Sequence, residues 1–386
     1  MPASYPTSVK SFSAKVNGDL IDVSHVKDLE AEVVAVETAL VNGLPVTHGG
    51  SGRLTATTAY SVIAAGTTAT GAQQSIAPST SGFVLTDNGT GVLPSFQAAA
   101  VATPALGIAE GRLTLTSATP VTTADVSAAT TAYYTPYIGN SIVLFDGSAT
   151  WTKYTFTEIT ISLVGLTASR PYDVFAYNSG GTVTIETLVW TNATTRATAL
   201  AYQNGVLVKS GATTRRYLGT IYINATGGQT DDTVAKRYVW NYYNRNCRVL
   251  RRLETTNQWT YTTATVRQAN GSALNQVEAV IGVAEVAVSV RLHAQVANSN
   301  AAVGVAVAIG EDSTGGRSAS CASGVNTTGA ANQQMGLSAS LDVYPAIGYH
   351  FFTWLEWSNA TGTSTWFGDR SASAPTVAGL TGETWG

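Results

Sequence analysis

Five apolar residues near the start of the chain, Val26, Leu29, Val33, Val36 and Leu40, are separated by 3, 4, 3 and 4 positions. That is the period of an α-helix with one narrow apolar seam, the a and d positions of a heptad. Ser24 offers a side-chain oxygen for an N-cap, and Gly43 followed by Pro45 stops the helix. A helix of this length is marginal alone in water. Its seam either docks on a sheet or meets identical seams in a short coiled coil. The narrowness of the seam favours the coiled coil, and valine at both a and d positions suits a trimer.

Beyond Leu44 the helical period disappears. Short apolar runs alternate with Gly, Ser and Thr, and Asp87-Asn88-Gly89 predicts a turn between Phe83-Val84-Leu85 and Val92-Leu93. Segments this thin cannot bury enough surface alone, so residues 44–103 read as a stalk that needs neighbouring copies. From residue 104 onward, period-two runs dominate. Asn178-Ser179-Gly180-Gly181 predicts a hairpin loop whose arms carry Tyr172, Val174, Ala176 and Val183, Ile185, Thr187. The cleanest alternation sets Val286, Val288, Val290, Leu292, Ala294 and Val296 against Ala287, Ser289, Arg291, His293 and Gln295, one face for a core and one for water. Val303, Val305, Val307 and Ile309 repeat the pattern, and Asn359–Gly362 predicts the turn of an aromatic hairpin.

The expected fold class is mainly β, with a short coiled-coil helix and a Gly/Ser/Thr-rich stalk ahead of two antiparallel sandwich or jelly-roll-like domains. The expected organisation is an anchor over 1–43, the stalk over 44–103, a central β domain over 104–246 and a C-terminal head over 247–386.

Composition narrows the function. Only 12% of the 386 residues are charged and the net charge is −3, which gives no general attraction to nucleic acid or anionic membrane. No apolar run approaches the roughly 20 residues of a bilayer span, so membrane insertion is not expected. The first residues lack the apolar core of a signal peptide, and a chain made and kept soluble in a cytoplasm follows as the expectation. Cys247 and Cys321 stand far apart, which excludes a disulfide scaffold and a cysteine-based zinc motif. His25, His48, His293 and His350 show no ligand spacing, and neither a metal nor another cofactor is expected.

Catalytic motifs are absent from the sequence, and no catalytic residue is assigned. A polysaccharide depolymerase would need paired carboxylates. Asp173, Glu186, Asp231, Asp232, Glu311, Asp312, Glu356 and Asp369 are the available ones, and most read as turn or ion-pair residues. Arg245, Arg248, Arg251 and Arg252 form the one strong charge feature, just after Tyr238, Trp240, Tyr242 and Tyr243. They read as an inter-subunit or inter-domain belt of stacked and paired arginines. An acidic polysaccharide site is the second reading, and single-stranded nucleic acid a disfavoured third. Among the C-terminal aromatics, Trp366 with Asn359 and Asp369 is the expected sugar platform.

The order of heptad helix, "LPVTHGGSG" and "GFVLTDNGTGVLPSFQ" resembles the N-terminal stalk of bacteriophage fibre proteins. Gly49, Gly50, Ser51 and Gly52 match their first glycine turn, with Ser51 where Thr is usual. Gly82, Val84, Leu85, Thr86, Asn88, Gly89, Pro94, Ser95 and Phe96 match the later hairpin, with Phe96 where Trp is usual. The resemblance covers residues 1–100. It implies a homotrimeric virion fibre, assembled in the host cytoplasm and held through its N-terminus by a phage tail or capsid protein. The expected function is that of a non-enzymatic tail fibre whose C-terminal domain attaches to a host cell-surface polysaccharide. A capsid-attached head fibre is the first alternative. A depolymerising tailspike and a monomeric cellular adhesin are more distant ones.

Overall fold

A computed structural model describes residues 20, 22–41, 58–65, 68, 71–99 and 104–386. The Gly49–Gly52 turn, His48, the Gly43 and Pro45 helix stop and residues 1–19 of the anchor lie outside them. The chain divides into two compact units, Met1–Ala102 and Thr103–Gly386.

In the first unit a helix, α1, spans Val23–Val41. Its cap is Asp22 rather than Ser24. The Asp22 carboxylate accepts the amides of Ser24 at 2.8 Å and His25 at 3.2 Å, and the Ser24 hydroxyl as well. An N-cap oxygen must reach the second and third helical amides, and a helix that begins at Val23 leaves Ser24 inside its first turn. The Ser24 hydroxyl and amide bonds hold the Asp22 carboxyl down to about 2. Strands β1 (Val62–Ala64) and β2 (Gln74–Ile76) form one antiparallel pair. Strands β3 (Phe83–Thr86) and β4 (Ser95–Ala98) form another, with Thr86 opposite Ser95. The second arm of this hairpin is therefore Ser95–Ala98, not Val92-Leu93. Pro94 has no N–H for a ladder, and the chain pairs only after it. Asn88 closes the longer turn by donating to Leu93 O at 2.7 Å and Ser95 Oγ at 3.0 Å.

The second unit is mainly β. A three-stranded sheet runs β10 (Ile159–Ser162), β7 (Thr131–Pro136), β5 (Gly111–Thr114), beside a hairpin of β8 (Ser141–Phe145) and β9 (Trp151–Thr155). A six-stranded sheet runs β12 (Thr182–Val189), β11 (Arg170–Ser179), β15 (Ala212–Ile223), β14 (Val206–Lys209), β13 (Leu200–Gln203), with β18 (Val239–Asn241) also on β15. The expected hairpin joins β11 to β12. Gly180 and Gly181 both have positive φ, 59° and 94°, the geometry of a type I′ turn that glycine adopts without strain.

The expected alternation on β11 is not what the structure shows. Every residue from Pro171 to Ala176 is buried, because this sheet has a core on each side. Tyr172, Val174 and Ala176 join Leu113, Tyr134, Ile142 and Ile161. Phe175 and Tyr217 join Trp240 and Ile281 on the other side.

An eight-stranded sheet follows the order β26 (Val325–Thr327), β24 (Gly304–Glu311), β28 (Gly348–Ser358), β22 (Gln276–Ile281), β17 (Lys236–Arg237), β16 (Thr230–Asp232), β6 (Val126–Ala129), with β21 (Arg267–Gln268) also on β28. A seven-stranded sheet follows β19 (Cys247–Leu253), β30 (Gly379–Trp385), β23 (Val288–Asn298), β27 (Met335–Val343), β25 (Cys321–Ser323). Strand β29 (Ser364–Phe367) joins this sheet between β23 and β20 (Gln258–Tyr261). The two sheets pack face to face as a sandwich. On β23, Val288, Val290, Leu292, Ala294 and Val296 are each no more than 2% exposed. They meet Val305, Val307 and Ile309 of β24 in one core, as the alternation predicts.

Two expectations change here. The residues around Asn359–Gly362 do not close a hairpin: β28 lies in the eight-stranded sheet and β29 in the seven-stranded one, so the turn arches from one layer to the other. The boundary expected at 246/247 falls inside the unit. The eight-stranded sheet takes β6, β16 and β17 from before it, and β17 pairs in parallel with β22 through Arg237 and Ala279. Packing is equally continuous: a Cβ built on Gly282 would lie 2.3 Å from both the Trp240 ring and the Tyr217 hydroxyl.

Candidate functional site

The outer face of the sandwich carries a groove of about 420 Å3 over β24, β26 and β28. Parity along β28 builds it. Phe352 and Trp354 point into the core, so Leu355 and Trp357 point the other way. Ala306 and Ala308 of β24 form a low floor, and Trp357, Val325, Val266 and Arg317 stand around it. Gly304 leaves room beside them, since its Cβ position is 3.5 Å from Val325 and 3.6 Å from the Trp357 ring. A half-buried indole, small floor residues and one guanidinium suit an apolar sugar face with a polar rim.

Glu356 faces inward beneath this groove and is 0% exposed. It accepts Trp259 Nε1 at 2.8 Å, Arg267 Nε at 2.7 Å and the Asn270 amide at 3.3 Å. Arg267 also lies 3.7 Å over the Tyr261 ring. Burial raises the Glu356 pKa, and the Trp259 bond and the Arg267 charge offset this only in part. A carboxyl with no exposed atom cannot reach a glycosidic oxygen, so Glu356 ties strands together. Other buried carboxylates are also committed, among them Asp173 to Arg196 at 2.7 Å, Asp232 to Arg237 and Arg248, Glu254 to Asn275 at 2.6 Å and Glu278 to Tyr349 at 2.8 Å.

The residues expected to bind glycan are not brought together as a platform. Trp366 is 0% exposed within the sandwich core. Asn359 and Asp369 cap turns, accepting the amides of Thr361 at 3.2 Å and Ser371 at 2.9 Å. The Ser371 bonds hold the Asp369 pKa below the usual carboxylate range.

The four arginines have four different environments. Arg245 lies over Trp240 at 4.8 Å and Tyr242 at 5.2 Å and pairs with Glu285. Arg248 is buried and pairs with Asp232 at 2.6 Å, bridging segments that the sequence assigns to different domains. Arg251 is exposed. Arg252 is half-buried, and its Nε has no hydrogen-bond partner. Arg112 was missed. It is 2% exposed and donates to Pro120 O at 3.1 Å and Gly386 O at 2.8 Å. Nothing in its local pattern sets it apart, because two of its partners, the carbonyls of Asn244 and Gly386, lie far along the chain.

His350 is 4% exposed, with Nδ1 2.8 Å from Asp312 Oδ2 and Nε2 2.9 Å from Ala346 O. Both neighbours accept, so the imidazolium satisfies both contacts. Burial alone would push its pKa down, but the Asp312 bond and charge, with the Ala346 carbonyl, outweigh it and raise the pKa above 6.5. The stabilisation is therefore complete below the unfolded value near 6.5 and is lost as pH rises through the folded value. Denaturant unfolding from pH 6 to pH 9 should show stability falling with pH, and His350→Gln should flatten that slope.

Among the described residues, no cluster of three or more His, Cys, Asp or Glu is placed to hold a metal ion. Among them, no helix is long and apolar enough to cross a membrane. No family model matches the chain, and no curated protein matches it. Among solved structures it is similar to an insecticidal delta-endotoxin of Bacillus thuringiensis, at 8% identity and a TM-score of 0.23, over 67% of this chain and 49% of that one. It is also similar to a chain of infectious bursal disease virus, Gx strain, at 10% identity and a TM-score of 0.20, over 69% and 76%. The chain thus spans about half the length of the endotoxin. Likeness at this level assigns no function.

Proposed function

We propose that this protein is a structural fibre protein of a bacteriophage particle, a homotrimer that attaches to a host surface glycan through its C-terminal sandwich. The supporting observation is apolar surface that one copy leaves in water. On α1 the seam residues Val26, Leu29, Val33 and Leu40 are 47%, 57%, 48% and 61% exposed, and Val36 is half-buried. On the β3–β4 hairpin, Phe83, Val84 and Leu85 are 39%, 48% and 46% exposed, although they alternate between its two faces. A two-stranded hairpin and a short heptad helix are each marginal alone. Three copies burying these residues against one another remove that cost. Joined sites then bind a repeating glycan with avidity, so each groove beside Trp357 needs only modest affinity. The sugar is held, not cleaved, and the fibre is carried at the tail through its N-terminal segment.

Sedimentation of the full chain tests the assembly. The expected particle has three times the 40.1 kDa of one chain, and L29D/V33D should release monomers in which the second unit keeps its fold. A stable monomer for the unaltered chain refutes the fibre. Antibody label at capsid vertices instead of the tail replaces the tail position with a head fibre.

A further inference from the structure

We propose that a second cavity in the C-terminal unit, beside the edge strand β19, binds the carboxylate of an acidic sugar. The inference deepens the proposed glycan attachment and rests on it. The cavity has a volume of about 300 Å3, near the low end of ligand pockets at about 300–1,000 Å3, and takes one saccharide unit. Arg237, Arg248 and Arg251 line it, on a bed of Val121, Val234 and Val249.

Its charge is unbalanced. Arg237 and Arg248 are each 8% exposed, and both pair with the single carboxylate of Asp232, at 2.9 Å and 2.6 Å. Arg237 also donates twice to Val249 O, and Arg248 donates to Thr122 O. One anion serves two buried cations, and Arg251 adds a third charge with no acidic partner among the described residues. No acidic side chain lines the cavity. Asp125, bonded to the Val234 amide, and Glu383, bonded by the Cys247 thiol, border it and are exposed. A buried guanidinium without a full counter-charge is costly, and a carboxylate held on the forked donors of Arg251 brings the missing negative charge beside the buried pair.

The valines and a nearby indole decide between anions. Inorganic ions gain nothing from apolar walls, whereas the ring of a uronate buries its C–H face on them. Trp385, the cross-strand partner of Cys247, is 47% exposed. It offers a stacking surface for a neighbouring sugar.

Calorimetry on the full chain at fixed ionic strength tests this with galacturonate oligomers, glucuronate, sialate, methyl-esterified galacturonate oligomers and sodium sulfate. At least one acidic sugar should bind, with R251Q weakening it about tenfold or more. Esterification should weaken the galacturonate oligomer comparably if that is the sugar bound. Trp385→Ala should weaken an oligomer more than a monosaccharide. The proposal fails if no acidic sugar gives heat at millimolar concentration, if R251Q changes nothing, or if sulfate binds as tightly as every sugar. Sedimentation of the same samples separates the readings. A trimer that binds no acidic sugar overturns only this inference, and a monomer that binds one overturns only the fibre.

Discussion

Replacing Asp232 by alanine should cost about 3–5 kcal/mol of unfolding free energy, the usual loss when one partner of a buried ion pair is removed. The carboxylate is 6% exposed and holds Arg237 and Arg248 together. Burial presses the Arg237 pKa down, and the Asp232 charge counters it. Removing that charge leaves two guanidinium groups facing each other inside the protein. Arg112 is buried close by and is pushed down to about 10, first by its own burial and then by the charge of Arg248. The repulsion therefore spreads beyond the pair. Denaturant unfolding measures the loss. Pairing Asp232→Ala with Arg248→Met should recover part of it. A loss below about 1 kcal/mol, the size of a solvent-screened surface pair, would show that water reaches this cluster.

Trp366→Ala should cost a similar 3–5 kcal/mol, as expected for emptying the space of a large aromatic in a packed core. Trp366 is 0% exposed and sits opposite Trp259 on one side and Val296 on the other. Trp357→Ala, on the groove, should change stability far less while weakening glycan binding. The unfolding midpoint and a binding titration on both variants separate the two tryptophans. If Trp366→Ala were to lose glycan binding at unchanged stability, the sandwich packing would be wrong.

Sequence patterns reveal elements that meet water on one side. Strand β23 is legible from Val288 to Val296 because its alternate residues Ser289, Arg291, His293 and Gln295 face outward. Strand β11 is not, because Asp173 occupies a position that alternation would give to solvent yet is 1% exposed against Arg196. The pair Trp366-Phe367 hides its environment in the same way, since both residues are buried. In the run from His350 to Trp357, aromatics occupy both parities, and only the placement of Phe352 and Trp354 in the core identifies Trp357 as outward. The Asn359–Gly362 turn was legible as a turn. Its residues say nothing about whether the next strand returns beside the last or crosses to another layer. Asp232 and its arginines are visible individually, but their meeting depends on strand placement: Arg237 faces Asp232 across the β16–β17 pair, and Arg248 reaches it from β19 in the other sheet.

The sheet that runs through residue 246 also determines how the protein can be divided. A fragment that starts at 247 carries β22 without its parallel neighbour β17 and without the Trp240 ring against Gly282. Such a fragment presents a bare strand edge of the kind that recruits other chains into aggregates. A fragment that keeps the C-terminal sandwich intact therefore has to begin ahead of residue 104, so that both cores of the six-stranded sheet travel together.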